Sequence, residues 1–278
     1  MHIVDPIYPA SEGSSQPTQL IWLELDMKKL ADKVALITGA GQGVGLGIAQ
    51  AYADSGASLV ISGRDADKLQ RAAAELKSRG AKVLAVPGDV RHRAFADATV
   101  AAALREFGKI DILIDNAQSS VAGITPLEQT DDATISMTVE SGLLGTLYHM
   151  QAAFPHMKER GGSIINFGSR EGVYGGVGFG IYAATKEAIR GLSRTAAREW
   201  GKHKIRVNVV CPAALSPAAV TFLAENPKEA EMYKSQIALG YFGDPFEDIA
   251  PVVVFLGSDD SRYVTGQTIN IDGGQMML

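Results

Sequence analysis

A single cysteine, Cys211, stands in the 278 residues, so no internal disulfide can form, which fits a reducing compartment. It ends the apolar run from Ile205 to Val210 and reads as buried filler, not as a nucleophile. No apolar run approaches the roughly 20 residues that span a bilayer, so no membrane partner is expected. Lys and Arg form no stripe and the net charge is only −5, which argues against nucleic acid or an anionic surface as primary partner. The first 26 residues lack a basic start and a small-residue cleavage site, so no secretory signal is read and a cytoplasmic location is expected. No metal ligand set is assigned.

What is present is globular in balance, 46% hydrophobic and 21% charged. The length suits one large α/β domain as well as two small ones. Residues 1–26, with Pro6, Pro9, Ser11, Gly13 and Pro17, read as a flexible arm whose apolar Leu20–Leu23 docks on the body or on a partner subunit. Met27 looks like an alternative natural start, and 27–278 is taken as the folded unit.

From Lys33 onward, short apolar runs alternate with amphipathic segments. Strands are expected at Val34–Thr38, Ser58–Ser62, Lys82–Val86, Ile110–Asp115, Ser163–Phe167, Arg206–Cys211 and Thr268–Ile271. Helices are expected at Val44–Ser55, Asp67–Ser78, Ala94–Phe107, Asp132–Lys158, Ile181–Trp200 and Phe246–Leu256, with Gly56, Gly80, Gly108 and Gly161 as left-handed stops. Strict β–α alternation implies a parallel sheet covered on both faces, with a ligand at the carboxyl edge of its strands.

The first strand runs into Thr38-Gly39-Ala40-Gly41-Gln42-Gly43-Val44-Gly45, and a helix follows. Glycines there let the backbone approach a pyrophosphate, and a helix N-terminus offers it free N–H groups. Further along, Tyr182 and Lys186 are four apart, one helical turn, with Ser169 thirteen positions upstream. A cation beside a phenol favours the phenolate, so Lys186 is expected to lower the pKa of Tyr182 toward the range of proton transfer, while Ser169 bonds the same substrate oxygen. Tyr-x-x-x-Lys alone is also an ordinary helix pair.

Taken together, Thr-Gly-x-x-x-Gly-x-Gly, Asp89-Val90, Asn116-Ala117, Ser169, Tyr182-x-x-x-Lys186 and the Pro212 segment occur in the order found in the short-chain dehydrogenase/reductase family. The resemblance covers about residues 30 to 275. It implies a single doubly wound Rossmann-type domain with a seven-stranded parallel sheet, helices on both faces, and hydride transfer between a nicotinamide cofactor and a carbonyl or alcohol carbon. Tyr182 would be the general acid/base, Ser169 would position the substrate oxygen, and Lys186 would also bond the nicotinamide ribose. Gly39, Gly41, Gln42, Gly43 and Val44 would hold the pyrophosphate. Asp89 and the Val90 amide would meet the adenine, and Asn116 and Ala117 the adenine-ribose side. Pro212, Leu215 and Ser216 would lie by the nicotinamide.

At the end of the second strand Gly63 fills the position that is acidic in NAD-preferring relatives and Arg64 follows it, which resembles NADP-preferring members. NADP(H) is therefore preferred, with NAD(H) the alternative because Asp65 lies about 20 residues beyond the glycine loop. Asp65 is read instead as the N-cap of the next helix.

The chain also departs from the family pattern. Relatives carry Asn in an Asn-Leu-x-Gly stretch, where it holds a water serving the lysine's proton relay; here the stretch is Gly142-Leu143-Leu144-Gly145. Relatives show Asn-Asn-Ala-Gly where this chain has Asp115-Asn116-Ala117-Gln118, and the usual Pro-Gly is Pro212-Ala213. The threonine expected near the carboxamide aligns with Pro217, leaving Ser216 as a substitute donor. Substrate recognition is assigned to about 213–248, to Gln118–Gly123 and to the glycine-rich loop after Ser169. The substrate is a small to medium carbonyl or secondary alcohol. A dinucleotide-binding regulatory protein with weakened catalysis is the reading from another class. By resemblance, the helices carrying Ala152, Ala153, Ala188, Ala196 and Ala197 would form a four-helix interface in a homodimer or homotetramer.

Overall fold

Val34–Thr38, five buried residues without a break, form the central strand β1 of the computed structural model, which describes residues 28–119, 125–214 and 217–277. The other strands are β2 (Ser58–Gly63), β3 (Val83–Pro87), β4 (Ile112–Asp115), β5 (Gly162–Phe167), β6 (Ile205–Pro212) and β7 (Thr268–Ile271). All pairings are parallel, in the order β3-β2-β1-β4-β5-β6-β7. The inner strands are almost wholly buried, while β3 and β7 are only half-buried because each has a neighbour on one side alone. Order reverses between β1 and β4, and that switch point is where such sheets bind ligands.

Alternate side chains serve opposite faces of the sheet, as the two-residue period of a strand requires. Ile37, Ile61, Ile114 and Ile165 pack on one face with helices α1 (Gly43–Asp54) and α2 (Ala66–Ser78). Leu36, Val60, Leu113 and Ile164 pack on the other with α3 (Arg93–Phe107), which supplies Val100 and Ala103. Both faces are thus covered, which is why the strands read as continuous apolar runs.

The chain from 132 to 157 is helical throughout, yet not one regular helix. Helix α4 (Asp132–Val139) passes through a π-helical turn, Glu140–Leu144, into α5 (Gly145–Met157). Short α6 (Arg170–Tyr174) and long α7 (Gly180–Trp200) follow β5. After β6 come α8 (Pro217–Glu225) and α9 (Pro227–Lys234), which the sequence reading did not separate from the substrate segment. A second π turn, Pro245–Ile249, leads into α10 (Ala250–Gly257). Gly56, Gly80, Gly108 and Gly161 all adopt the left-handed conformation expected of helix stops.

Ala153, Ala196 and Ala197, on the helices assigned to a subunit interface, are buried in the subunit's own core together with Leu113, Ile164 and Val207. The arm at 1–26 and Met27 lie outside the described residues.

Candidate active site

Loops after β1 and β4 meet at the switch point. Thr38, the last residue of β1, uses its hydroxyl oxygen to accept the amide N–H groups of Asn116 (3.1 Å) and Ala117 (3.0 Å). In return the Asn116 side-chain amide donates to the carbonyls of Thr38 (3.0 Å) and Gly39 (3.2 Å). Asn116 is therefore the clasp that shapes the glycine turn. Gly39 sits at φ +70°, and a Cβ on Gly45 would lie 2.4 Å from the Gly39 carbonyl oxygen, so the turn folds only around glycine.

No side chain caps the start of α1, because Gln42 at its N-cap makes no capping hydrogen bond. The first N–H groups of that helix are left to face the cavity beyond it, with the positive end of the helix dipole behind them. The cavity holds about 810 Å³ and is lined by Gly39, Gly41, Gln42, Gly43, Val44, Gly63, Arg64, Asp89, Val90, Asn116 and Ala117. Eleven residues assigned to cofactor binding from the sequence are thus brought to one wall system. An anion-ready helix terminus, a glycine-rich turn and a cavity of this volume fit a dinucleotide.

Lys68 and Gly88, which the sequence left unassigned, also line this cavity, as do Ser119 and Ala214 from the segments assigned to substrate recognition. Arg64, just before the Asp65 cap, and Lys68, in the first turn of α2, both line it. The Lys68 Nζ donates to Gln42 Oε1 at 2.9 Å, which ties α2 to the glycine turn. Asp65 caps α2, its Oδ1 accepting the Lys68 amide at 3.0 Å, and this backbone hydrogen bond holds its carboxyl below the usual range. Asp89 is engaged by Arg91 through Nε at 3.0 Å, Nη2 at 2.8 Å and the backbone amide at 3.0 Å. Burial works against the Asp89 charge, but those bonds prevail and keep its pKa low.

Pro212 ends β6 opposite Ile271 and is not among the cavity's lining residues, whereas Ala214 is. Leu215 and Ser216 lie outside the described residues.

Ser169, Tyr182 and Lys186 gather beyond the end of β5. Ser169 is the N-cap of α6, its Oγ accepting the Glu171 amide at 3.2 Å, and its hydroxyl is near enough to the Tyr182 phenol to favour the phenolate. Lys186, buried on α7, donates to the Phe167 carbonyl at the end of β5 (2.9 Å), and its Nζ lies 5.5 Å from the centre of the Tyr182 ring. The helix turn and the strand end therefore fix all three side chains relative to the sheet.

The electrostatics differ from the expectation for Tyr182. Burial pushes its phenol up; the Ser169 hydrogen bond pulls the other way, and the Glu171 charge adds to the rise. Lys186 does not offset this, since its ammonium is aimed at Phe167 and is itself depressed to about 8 by burial. A dry enclosure disfavours both charged forms. Cys211, close to both, is also pushed up, to about 11, by burial, which fits filler and not a nucleophile.

A family model described as enoyl-(acyl carrier protein) reductase matches residues 39–276. The 12alpha-hydroxysteroid dehydrogenase of a Clostridium species is 46% identical over 87% of this chain and 96% of its own length. The chain belongs to the short-chain dehydrogenase/reductase family. The 7alpha-hydroxysteroid dehydrogenase of Bacteroides fragilis is 32% identical, covering 89% of this chain and 96% of that protein. Among solved structures, a short-chain type dehydrogenase/reductase from Mycobacterium ulcerans superposes with a TM-score of 0.83 at 31% identity, over 88% of this chain and 90% of its own. The chain is accordingly a Rossmann-type oxidoreductase whose family uses NAD(P) cofactors. Among the described residues no helix is long and apolar enough to cross a membrane, and no group of ligating side chains could hold a metal.

Proposed function

We propose that this chain is an NADP(H)-dependent enzyme that interconverts a secondary alcohol and a ketone, with Tyr182 as general acid/base and a hydroxysteroid as substrate class. The observation that carries the reading is Tyr182 set beside the Ser169 hydroxyl, on a helix locked to the strand end through Lys186. Ser169 and Tyr182 would share the substrate oxygen, Ser169 orienting it and Tyr182 giving or taking its proton. The bound nicotinamide supplies or accepts the hydride.

A hydroxysteroid is favoured by two relatives and by the rim of the site. Thr125 N–H donates to the Gly178 carbonyl (3.1 Å), and Arg170 reaches Gln236 (3.4 Å), so the segments after β4, β5 and β6 adjoin there. Leu127, Tyr174, Val177 and Leu239 on these segments are exposed apolar side chains suited to a rigid hydrocarbon face. We place substrate recognition in 213–248 together with these loops. The test is NADP+ reduction with 12α- and 7α-hydroxysteroids beside non-steroid secondary alcohols. Cofactor binding with no oxidation of any member would sink the enzyme reading, and oxidation of non-steroid alcohols alone would sink the substrate class.

For the cofactor, Arg64 and Lys68 present two cations at the cavity end, and Asp65 is spent on capping α2. A 2′-phosphate would pair with the cations. Arg64→Ala is expected to weaken NADP(H) binding about tenfold or more by calorimetry, with NAD(H) unchanged, in keeping with the 1.5–3 kcal/mol of a hydrogen bond to a charged group. Equal NADP(H) affinity in both proteins would favour NAD(H), with Asp65 facing the ribose.

A further inference from the structure

Asp115 and Asn166 sit side by side near the ends of β4 and β5, as Cα partners in the parallel ladder. They follow Leu113 and Ile164 by two residues, so both side chains face the layer of α3, α5 and α7. Both are buried. Neighbouring strands lie about 4.8 Å apart, which brings side chains of this length within hydrogen-bond reach of each other.

The polar atoms at this contact do not balance. Asn166 spends both of its N–H groups, one on Ser193 Oγ (2.8 Å) and one on Met150 Sδ (3.4 Å). Ser193 spends its only hydroxyl proton on the Ile189 carbonyl (2.7 Å), so the atom that Asn166 turns toward it must be the nitrogen. The amide oxygen of Asn166 is left enclosed without a donor among the described residues, and so is Oδ2 of Asp115. Two oxygens that only accept cannot bond each other, and enclosed acceptors are costly to leave unmet. One proton on Asp115 turns the pair into donor and acceptor. Burial favours that proton, since it pushes the Asp115 carboxyl well above the usual carboxylate range. The buried titratable groups on the helices of this face are His149 on α5 and Lys186 on α7, and neither lowers it; the charged groups of α3 are exposed.

We propose that Asp115 is a neutral carboxylic acid that donates its proton to Asn166 Oδ1 and so pins the end of β4 to β5. It is a positioning residue for the cofactor cavity. Asn116 and Ala117, the next two residues, form the clasp with Thr38 and line that cavity. An acid here, unlike an amide, makes the contact depend on pH. Above about 4 the unfolded chain has released this proton while the folded chain keeps it. Wild-type stability therefore falls as the pH rises, until the folded acid ionises.

The test is infrared spectroscopy of the full chain without cofactor at pH 7, as the difference between wild type and Asp115→Asn. The carbonyl stretch of a protonated acid is expected in wild type and not in the variant. Asn166→Val should move that band, because the acid loses its acceptor. Asp115→Asn keeps a donor and is expected to hold cofactor affinity within about twofold, whereas Asp115→Leu should weaken it about tenfold. In urea unfolding between about pH 6 and about pH 7.5, the unfolding equilibrium of wild type should rise relative to that of Asp115→Asn by about tenfold per pH unit, the slope of one proton. No acid band at pH 7, or a ratio that does not change with pH, overturns the proposal, because Asp115 is then a carboxylate. A band that Asn166→Val leaves unmoved gives the proton another partner and overturns the bridge. Unchanged cofactor affinity in Asp115→Leu overturns the positioning role. Should that variant fail to fold, the band and the slope against Asp115→Asn still decide.

Discussion

Tyr182→Phe is expected to lower kcat for alcohol oxidation and for ketone reduction by about 10²–10⁴-fold, with cofactor affinity unchanged. The substitution deletes one oxygen from a ring that is otherwise packed in place, so its effect isolates the proton. Burial raises the Tyr182 phenol above its ordinary value and no cation is directed at it. The phenol is therefore protonated at neutral pH, which suits donation to a ketone oxygen. Reduction is expected to be level near pH 7 and to fall in alkali as the donor is lost. Oxidation needs the phenolate and should climb with pH over the same range. Steady-state rates in both directions against pH check this. Mirror-image profiles that vanish in Tyr182→Phe support Tyr182, and profiles that persist in the variant reject it.

Much of this site could be read in the sequence because its parts are backbone devices. A strand, a turn that only glycine can make and a helix start follow from local residue types, so Gly39–Val44 and the strand ends carrying Gly63, Asp89 and Asn116 converge as expected. The Asp65 cap was legible for the same reason, since a cap is settled within four residues. What escaped was set by contacts across the fold. Asn116 spends its side chain on the carbonyls of Thr38 and Gly39, a pairing of strands far apart in sequence. The π turn at Glu140–Leu144 inserts no marker residue into the helical pattern. The protonation preference of Tyr182 depends on where Lys186 points, and a four-residue spacing puts two side chains on one face without aiming the ammonium at the phenol. Alanines on a long helix likewise suit an interface and a sheet contact equally, and the burial of Ala153 and Ala196 in the core could not be read from their spacing.

Lys186→Met is expected to abolish turnover and yet make the cofactor-free protein more stable. The Lys186 pKa falls from 10.5 to about 8 through burial, so the folded state resists carrying its charge. Between those two values the unfolded chain binds the proton more than the native one does, and stability therefore rises with pH from about 8 toward 10.5. Below about 8 the native state bears the full cost of an ammonium out of water, and methionine removes that cost at similar volume. Against this stands the lost hydrogen bond to the Phe167 carbonyl, worth about 1.5–3 kcal/mol for a charged donor. The balance predicts a gain of about 0.5–2 kcal/mol at pH 7, which turns into a loss as the pH approaches 10.5, since the whole shift corresponds to about 3.4 kcal/mol. Urea unfolding of both proteins at pH 7 and pH 10 measures it. A variant that is less stable at pH 7, or a difference that does not change with pH, would mean that Lys186 is held charged at little cost. The expected result instead makes Lys186 a residue kept for its chemistry at the expense of stability, as functional groups in dry sites commonly are.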